Sequence, residues 1–187
     1  MRCAVAALGV ARIDFLGYVD PTVGPGEELF APEHTAAELK AQISNAIDVQ
    51  QPEVILMHGS NGEYGHPAHC LLRETVSEIV KGLSEPAPLL YSFAANYPDH
   101  PYPRLTNADD VAHLVVDISD HFAALISAAK CHHTQHALFG RRLSEEWGRP
   151  VSLEELIRLV PREGLHRHWP PLDGAPHDRL KRALLSN

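Results

Sequence analysis

The chain has 187 residues, long enough to bury a full core, and one domain is the default expectation. Its 44% hydrophobic and 21% charged residues are those of an ordinary globular protein and exclude a disordered or fibrous class. With 16 Lys and Arg against 24 Asp and Glu, the formal charge of −8 repels phosphate backbones, so nucleic acid is not expected as a partner.

Residues 1–9 read as the end of a helix closed by Gly9, and RIDFLGY (Arg12 to Tyr18) reads as an alternating strand. The opening apolar run is too short for a signal sequence, and no stretch approaches the roughly 18 to 20 apolar residues that span a bilayer. Three scattered cysteines, Cys3, Cys70 and Cys131, argue against a disulfide framework and a cysteine zinc site. A soluble protein of the reducing cytoplasm is expected, and homo-oligomerisation stays open.

From Asp20 to Glu33 the Pro and Gly content marks a loop. Thr35 with Glu38 forms a capping box for a helix over 36–49, with Leu39, Ile43, Ala46 and Ile47 on one face. EVILMH, after Pro52, has the continuous apolar character of a strand buried in a parallel sheet. GSNGEYG is a glycine-bearing loop, and a helix begins near His66, with Pro67 in its first turn, and runs to about Leu83. PLLYSF is a second buried strand, followed by a Pro-rich aromatic loop through Leu105. VAHLVVDI is a further strand, and Ser119 or Asp120 caps a helix that continues to about Cys131. Ser152 with Glu155 caps a short helix before Pro161, and the basic tail 179–185 reads as helical. Alternating buried strands and amphipathic helices indicate an α/β fold with a mainly parallel sheet, whose ligands sit at the carboxyl ends of strands. GEYGHPAH (Gly62 to His69) lies at one such end and Asp20 at another.

In GEYGHPAH, His66 and His69 stand three residues apart at a helix start. Neutral imidazole is a good zinc ligand, and this spacing lets both rings converge on one side. Either both rings bind an ion, or one binds while the other faces the substrate. A catalytic zinc takes three protein ligands, so the pair is incomplete by itself. The bland alternative is a pair that caps the helix or bonds locally.

The longer stretch VILMHGSNGEYGHPAH resembles the second signature of the PIG-L family, the LmbE-like N-acetylglucosaminyl deacetylases, which follows a buried strand and ends in GHPDH. The helix ending LGV, the segment FLGYVD and the later KCHHTQ also agree, so the resemblance covers roughly residues 1–142. It implies a Rossmann-like fold and zinc-dependent hydrolysis, with another divalent metal an alternative, that removes an N-acetyl group from a small amino-sugar conjugate. By position, the resemblance makes His69 the metal-binding histidine and His66 the histidine that steadies the oxyanion and assists proton transfer. Asp20 matches a substrate-contacting aspartate and His132 the downstream histidine near the site.

Two departures follow from the same resemblance. The early His-Pro-Asp-Asp signature, which supplies the family's other ligands and its general base, has no counterpart in this sequence. The expectation is therefore a single partial domain, N-terminally truncated, lacking the first strand and a complete metal site, and inactive by itself. Ala68 stands where the family usually has an aspartate that holds the neighbouring histidine, a loss for which Glu63 is a candidate substitute. A noncatalytic sugar-binding member of the same fold is the alternative. Among the other candidates, His132, His133 and His136 read as a polar surface, and His58 as a loop hydrogen-bonder. Tyr97, Asp99, His100 and Tyr102 form a specificity loop or surface decoration, and Asp109 and Asp110 read as solvated charges.

Overall fold

The structure is a computed structural model that describes residues 1–19, 21, 23, 27–133 and 136–185, the side chains at 136–139 and 142 excepted. Asp20 lies outside the described residues. The elements run α1 (Arg2–Ala7), α2 (Ala36–Gln50), β1 (Val54–Met57), the tight turn α3 (Gly62–Gly65), α4 (Pro67–Lys81), β2 (Leu89–Ser92), β3 (Ala95–Asn96), β4 (Asn107–Val111), β5 (Leu114–Asp117), α5 (Phe122–Lys130), α6 (His136–Trp147), α7 (Leu153–Arg158), β6 (Arg162–Trp169) and α8 (Arg179–Leu185). They form two compact units, Met1–Phe15 with Asp117–Arg162, and Leu16–Val116 with Glu163–Asn187.

The first unit is helical. α1 and α7 both pack on α5, with Ala4, Phe122, Ile126 and Ala128 buried. The Ser152 hydroxyl accepts the Glu155 N–H at 3.1 Å and caps α7, as the sequence pattern predicts. Cys3 of α1 and Cys131, just beyond α5, form a disulfide with their Cα atoms 5.7 Å apart. This corrects the expectation of three separate thiols: a separation of 128 residues hides a pair that helix packing brings together.

The second unit holds a four-stranded mixed sheet in the order β1-β2-β6-β5, with β1 parallel and β6 antiparallel to β2. It is of α/β type. β2 is buried at all four residues, which explains its uninterrupted apolar run. β1 occupies the sheet's edge and Leu56 is 54% exposed, so the reading of EVILMH as a buried strand holds only in part. Leu39 and Ile43 of α2 cluster with Ile79 of α4, and Val80 of α4 packs with Met57 and Leu90 of the sheet. β3 and β4 pair in parallel as a separate two-stranded sheet.

RIDFLGY forms no strand. Phe15 is 60% exposed and Gly17 adopts φ 88°; alternation without a neighbouring ladder leaves the backbone no pairing to gain. Conversely, β6 has no counterpart in the sequence reading. Its apolar residues are interrupted by Arg167, His166 and His168, and its strand character comes from pairing with β2.

Candidate metal centre

The loop after β1 is shaped by one side chain reaching across from β4. Asn107, fully buried, accepts the N–H groups of Asn61 (3.2 Å) and Glu63 (3.0 Å) at Oδ1. Its Nδ2 donates to the Phe93 carbonyl at 3.1 Å and to Glu63 Oε1 at 3.3 Å. Gly59 lies so close that a Cβ there would stand 2.1 Å from Asn107 Cγ, so this position requires glycine. Glu63 itself adopts φ 63°, a left-handed conformation rarely tolerated by a non-glycine residue, and the Asn107 bonds hold it there.

That backbone turns the Glu63 carboxylate inward, 8% exposed. Oε1 accepts the Gly59 N–H at 3.1 Å. Oε2 meets His69 Nδ1 at 2.7 Å and His58 Nδ1 at 3.0 Å. Burial pushes the carboxyl up, but hydrogen bonds from His58, Gly59 and Asn107 outweigh it and hold the group at about 2. Glu63 is thus an ionised acceptor between two imidazoles. Burial, and then the charge of His58, holds His69 below its ordinary value despite the carboxylate, favouring the neutral ring that binds metals.

His69 is the middle of a stack. Its ring lies 3.8 Å from that of His58 and 4.4 Å from that of His66, with interplanar angles of 12° and 20°. His66 caps α4: its Nδ1 accepts the Ala68 N–H at 3.3 Å, which leaves Nε2 as the donor. Tyr64 stands edge-on to both His66 and His69. Glu63, the candidate substitute for the missing aspartate, therefore partners His58 and His69, whereas a backbone N–H serves His66.

The ligand atoms of His58, Glu63 and His69 lie within 4.8 Å of one another. Two imidazoles and a carboxylate are the donor set of a catalytic zinc, and the ionised Glu63 beside a neutral His69 fits a divalent cation. His58, expected to bond loop backbone, instead faces the carboxylate and meets Phe93 edge-on at 5.0 Å. A signal was present: His58 ends an apolar strand, five residues before an acid in a glycine-rich loop.

The remaining candidates distribute differently. Asp110 is not a solvated charge. It is 4% exposed, and its carboxylate accepts from Ser60 N at 2.8 Å and Ser92 Oγ at 3.2 Å. His132 belongs to the first unit, where its N–H closes the end of α5 on Ala129 O. His133 is exposed, and the side chain of His136 lies outside the described ones. Tyr97 is 5% exposed and packs edge-on to His100, so it serves the core rather than a stacking surface. Glu163 of β6 went unnoticed in the sequence. Burial raises its carboxyl above the ordinary value, against hydrogen bonds from the Ala94 and Gly164 backbone.

No protein-family model matches the chain. It is 27% identical over 199 aligned residues to the 1D-myo-inositol 2-acetamido-2-deoxy-alpha-D-glucopyranoside deacetylase of Mycolicibacterium gilvum, an alignment covering 89% of this chain and 70% of that protein. To the protein of the same name from Mycolicibacterium vanbaalenii it is 26% identical over 163 residues, covering 72% of this chain and 57% of the relative. Both relatives are deacetylases by name, and the chain spans only part of each. Among the described residues no helix is long and apolar enough to cross a membrane.

Proposed function

We propose that the chain is a metal-dependent deacetylase of an N-acetylated amino-sugar conjugate, related to the PIG-L and LmbE-like enzymes, with zinc or a similar divalent ion held by His58, Glu63 and His69. The observation that carries the reading is the Glu63 carboxylate set between His58 and His69, beside His66, within the stretch that resembles the family's second signature. Deacetylase relatives of the same chemical class support it. The early His-Pro-Asp-Asp donors are absent from this sequence, and in this reading His58 and Glu63 take their place. The fold is proposed as Rossmann-like, and the outer edge of β1, with Leu56 exposed, is where a first strand would pair.

A bound divalent ion supplies Lewis acidity, polarising the acetamide carbonyl and making water nucleophilic near neutral pH. The chain's residues do the rest. Asn107 and Gly59 fix the Glu63 carboxylate between the two rings, where all three residues would face one ion. His66, oriented by the Ala68 N–H, offers its Nε2–H to the oxygen on which negative charge develops. Asp20 is proposed as a substrate contact. Amide cleavage releases acetate and the free amine.

A second reading, a noncatalytic sugar-binding protein, is favoured by Ala68 and by the use of His66 as a helix cap. The two separate in one assay, amine release from 1D-myo-inositol 2-acetamido-2-deoxy-alpha-D-glucopyranoside by the full chain with and without zinc. The deacetylase reading expects zinc-dependent amine release that a chelator abolishes and that H66A lowers by roughly 10²- to 10³-fold. Substrate binding without amine release supports the noncatalytic reading.

A further inference from the structure

β6 brings a second set of metal donors to β4, independent of the centre described above. His166 and His168 are two apart on one strand and so share a face, and they meet Asp110 of β4. The ligand atoms of the three lie within 4.8 Å of one another.

Three features distinguish this group from a chance gathering of polar side chains. First, His166 Nδ1 lies 2.6 Å from the Val111 carbonyl. A carbonyl only accepts, so Nδ1 carries the proton and Nε2 is left with its lone pair; a backbone carbonyl on the distal nitrogen is the usual support of a metal-ligating histidine. Second, His168 Nε2 is 3.5 Å from Asp110 Oδ2 and 3.0 Å from Ser92 Oγ, the hydroxyl that also bonds to that carboxylate, so a hydroxyl an ion could displace spans the two donors. Donors that share a tetrahedral zinc, each about 2.0 to 2.1 Å from it, stand roughly 3.4 Å apart. Third, the carboxylate is built in. Ser60 N and Ser92 Oγ both bond to Oδ2, and the side chains of Asp110 and His168 are only 5% and 11% exposed.

His113, whose ring lies 4.3 Å from that of His166, is not a donor. Its Nδ1 accepts the Arg167 N–H at 3.0 Å, and its ring also bonds the Leu172 backbone. The neighbouring imidazole is therefore structural, whereas His166 Nε2 has no hydrogen bond among the described residues.

We propose that Asp110, His166 and His168 form a second divalent-metal site, suited to zinc or another ion of similar softness. Two imidazoles and one carboxylate are neutral donors plus a single negative charge, a set that selects such ions over calcium and magnesium, which require mostly oxygen. The site shares a loop with the first centre without sharing a ligand. Adjacent residues Gly59 and Ser60 point their N–H groups to Glu63 and to Asp110 respectively.

The test uses the full chain with His58 and His69 both replaced by Ala, so that the outcome does not depend on the first centre. After chelator treatment, zinc is measured by equilibrium dialysis, and cobalt by its visible absorption. One equivalent of each ion is expected, with a cobalt spectrum of low coordination number. Adding His166→Ala should weaken binding by more than the roughly 10- to 100-fold that loss of an outer-shell partner brings. His168→Gln provides the second variant should His166→Ala prove unstable by circular dichroism. No stoichiometric binding in the double variant, or binding that survives both substitutions, would overturn the proposal.

Discussion

The two histidine and carboxylate clusters use similar donors but are built from different material. In the first, all three residues come from twelve consecutive positions of one loop and helix start, and the carboxylate is aimed by a strained backbone at Glu63. In the second, the carboxylate comes from β4 and both histidines from β6, two strands that belong to different sheets. The loop cluster has its rings stacked face to face, whereas His166 and His168 lie tilted by 59° with centroids 4.7 Å apart. A site carried by a short loop depends on that loop's own hydrogen bonds; a site carried by two strands depends on how their two sheets lie together.

Substitutions that break one cluster and spare the other sharpen the contrast. The largest expected effect is on metal affinity: H69A should weaken zinc binding at the loop cluster beyond about 100-fold while leaving a site sensitive to H166A intact, as read by zinc titration of each variant. Gly59→Ala should be the substitution that damages both, because the added Cβ meets Asn107, which aims Glu63, while the next residue's N–H serves Asp110. A cost of about 1–3 kcal/mol in urea unfolding is expected, with weaker zinc binding at both positions.

A pH effect should belong to the strand side. Asp178 bonds to Tyr91 and, at 3.0 Å, to Arg167, the residue between the two β6 histidines. Burial raises the Asp178 carboxyl, but the bonds from Tyr91, the Lys181 backbone and Arg167 prevail and hold it below its ordinary 3.8. Since the folded value is depressed, the stabilisation is present above 3.8 and is lost as pH falls below it. D178N should flatten the fall of melting temperature in that acid range and lower it at neutral pH. The smallest effect is expected from H66A on stability: loss of the α4 cap should cost about 0.5–2 kcal/mol by denaturant unfolding.

The loop cluster was partly legible in the sequence, and the strand cluster was not. GEYGHPAH carried its own local signals, a proline in a first helical turn and histidines three apart, and α4 begins at Pro67 as predicted. The helices over 36–50 and 153–158 were also legible, the first from its 3.6-residue repeat although Thr35 makes no cap bond to the helix backbone, the second from its Ser152 cap. What joins Glu63 to His58 is a positive-φ backbone held by Asn107, 44 residues away, and no local pattern records it. Asp110 looked solvated because NADDV is polar, yet Ser60 and Ser92 bury it. REGLHRHW lacks an apolar alternation, so its strand character and its histidine pair emerge only once β2 lies beside it. RIDFLGY shows the reverse error, alternation with no strand to pair against.

The most direct test of the central claim, an ion held by His58, Glu63 and His69, is a crystal structure of the chain grown with zinc and measured at its absorption edge. The account predicts an anomalous peak about 2.0 to 2.2 Å from one atom of each of those three residues. Zinc bound to the crystal elsewhere, with the Glu63 carboxylate still hydrogen-bonded to both rings and no peak between them, would contradict it.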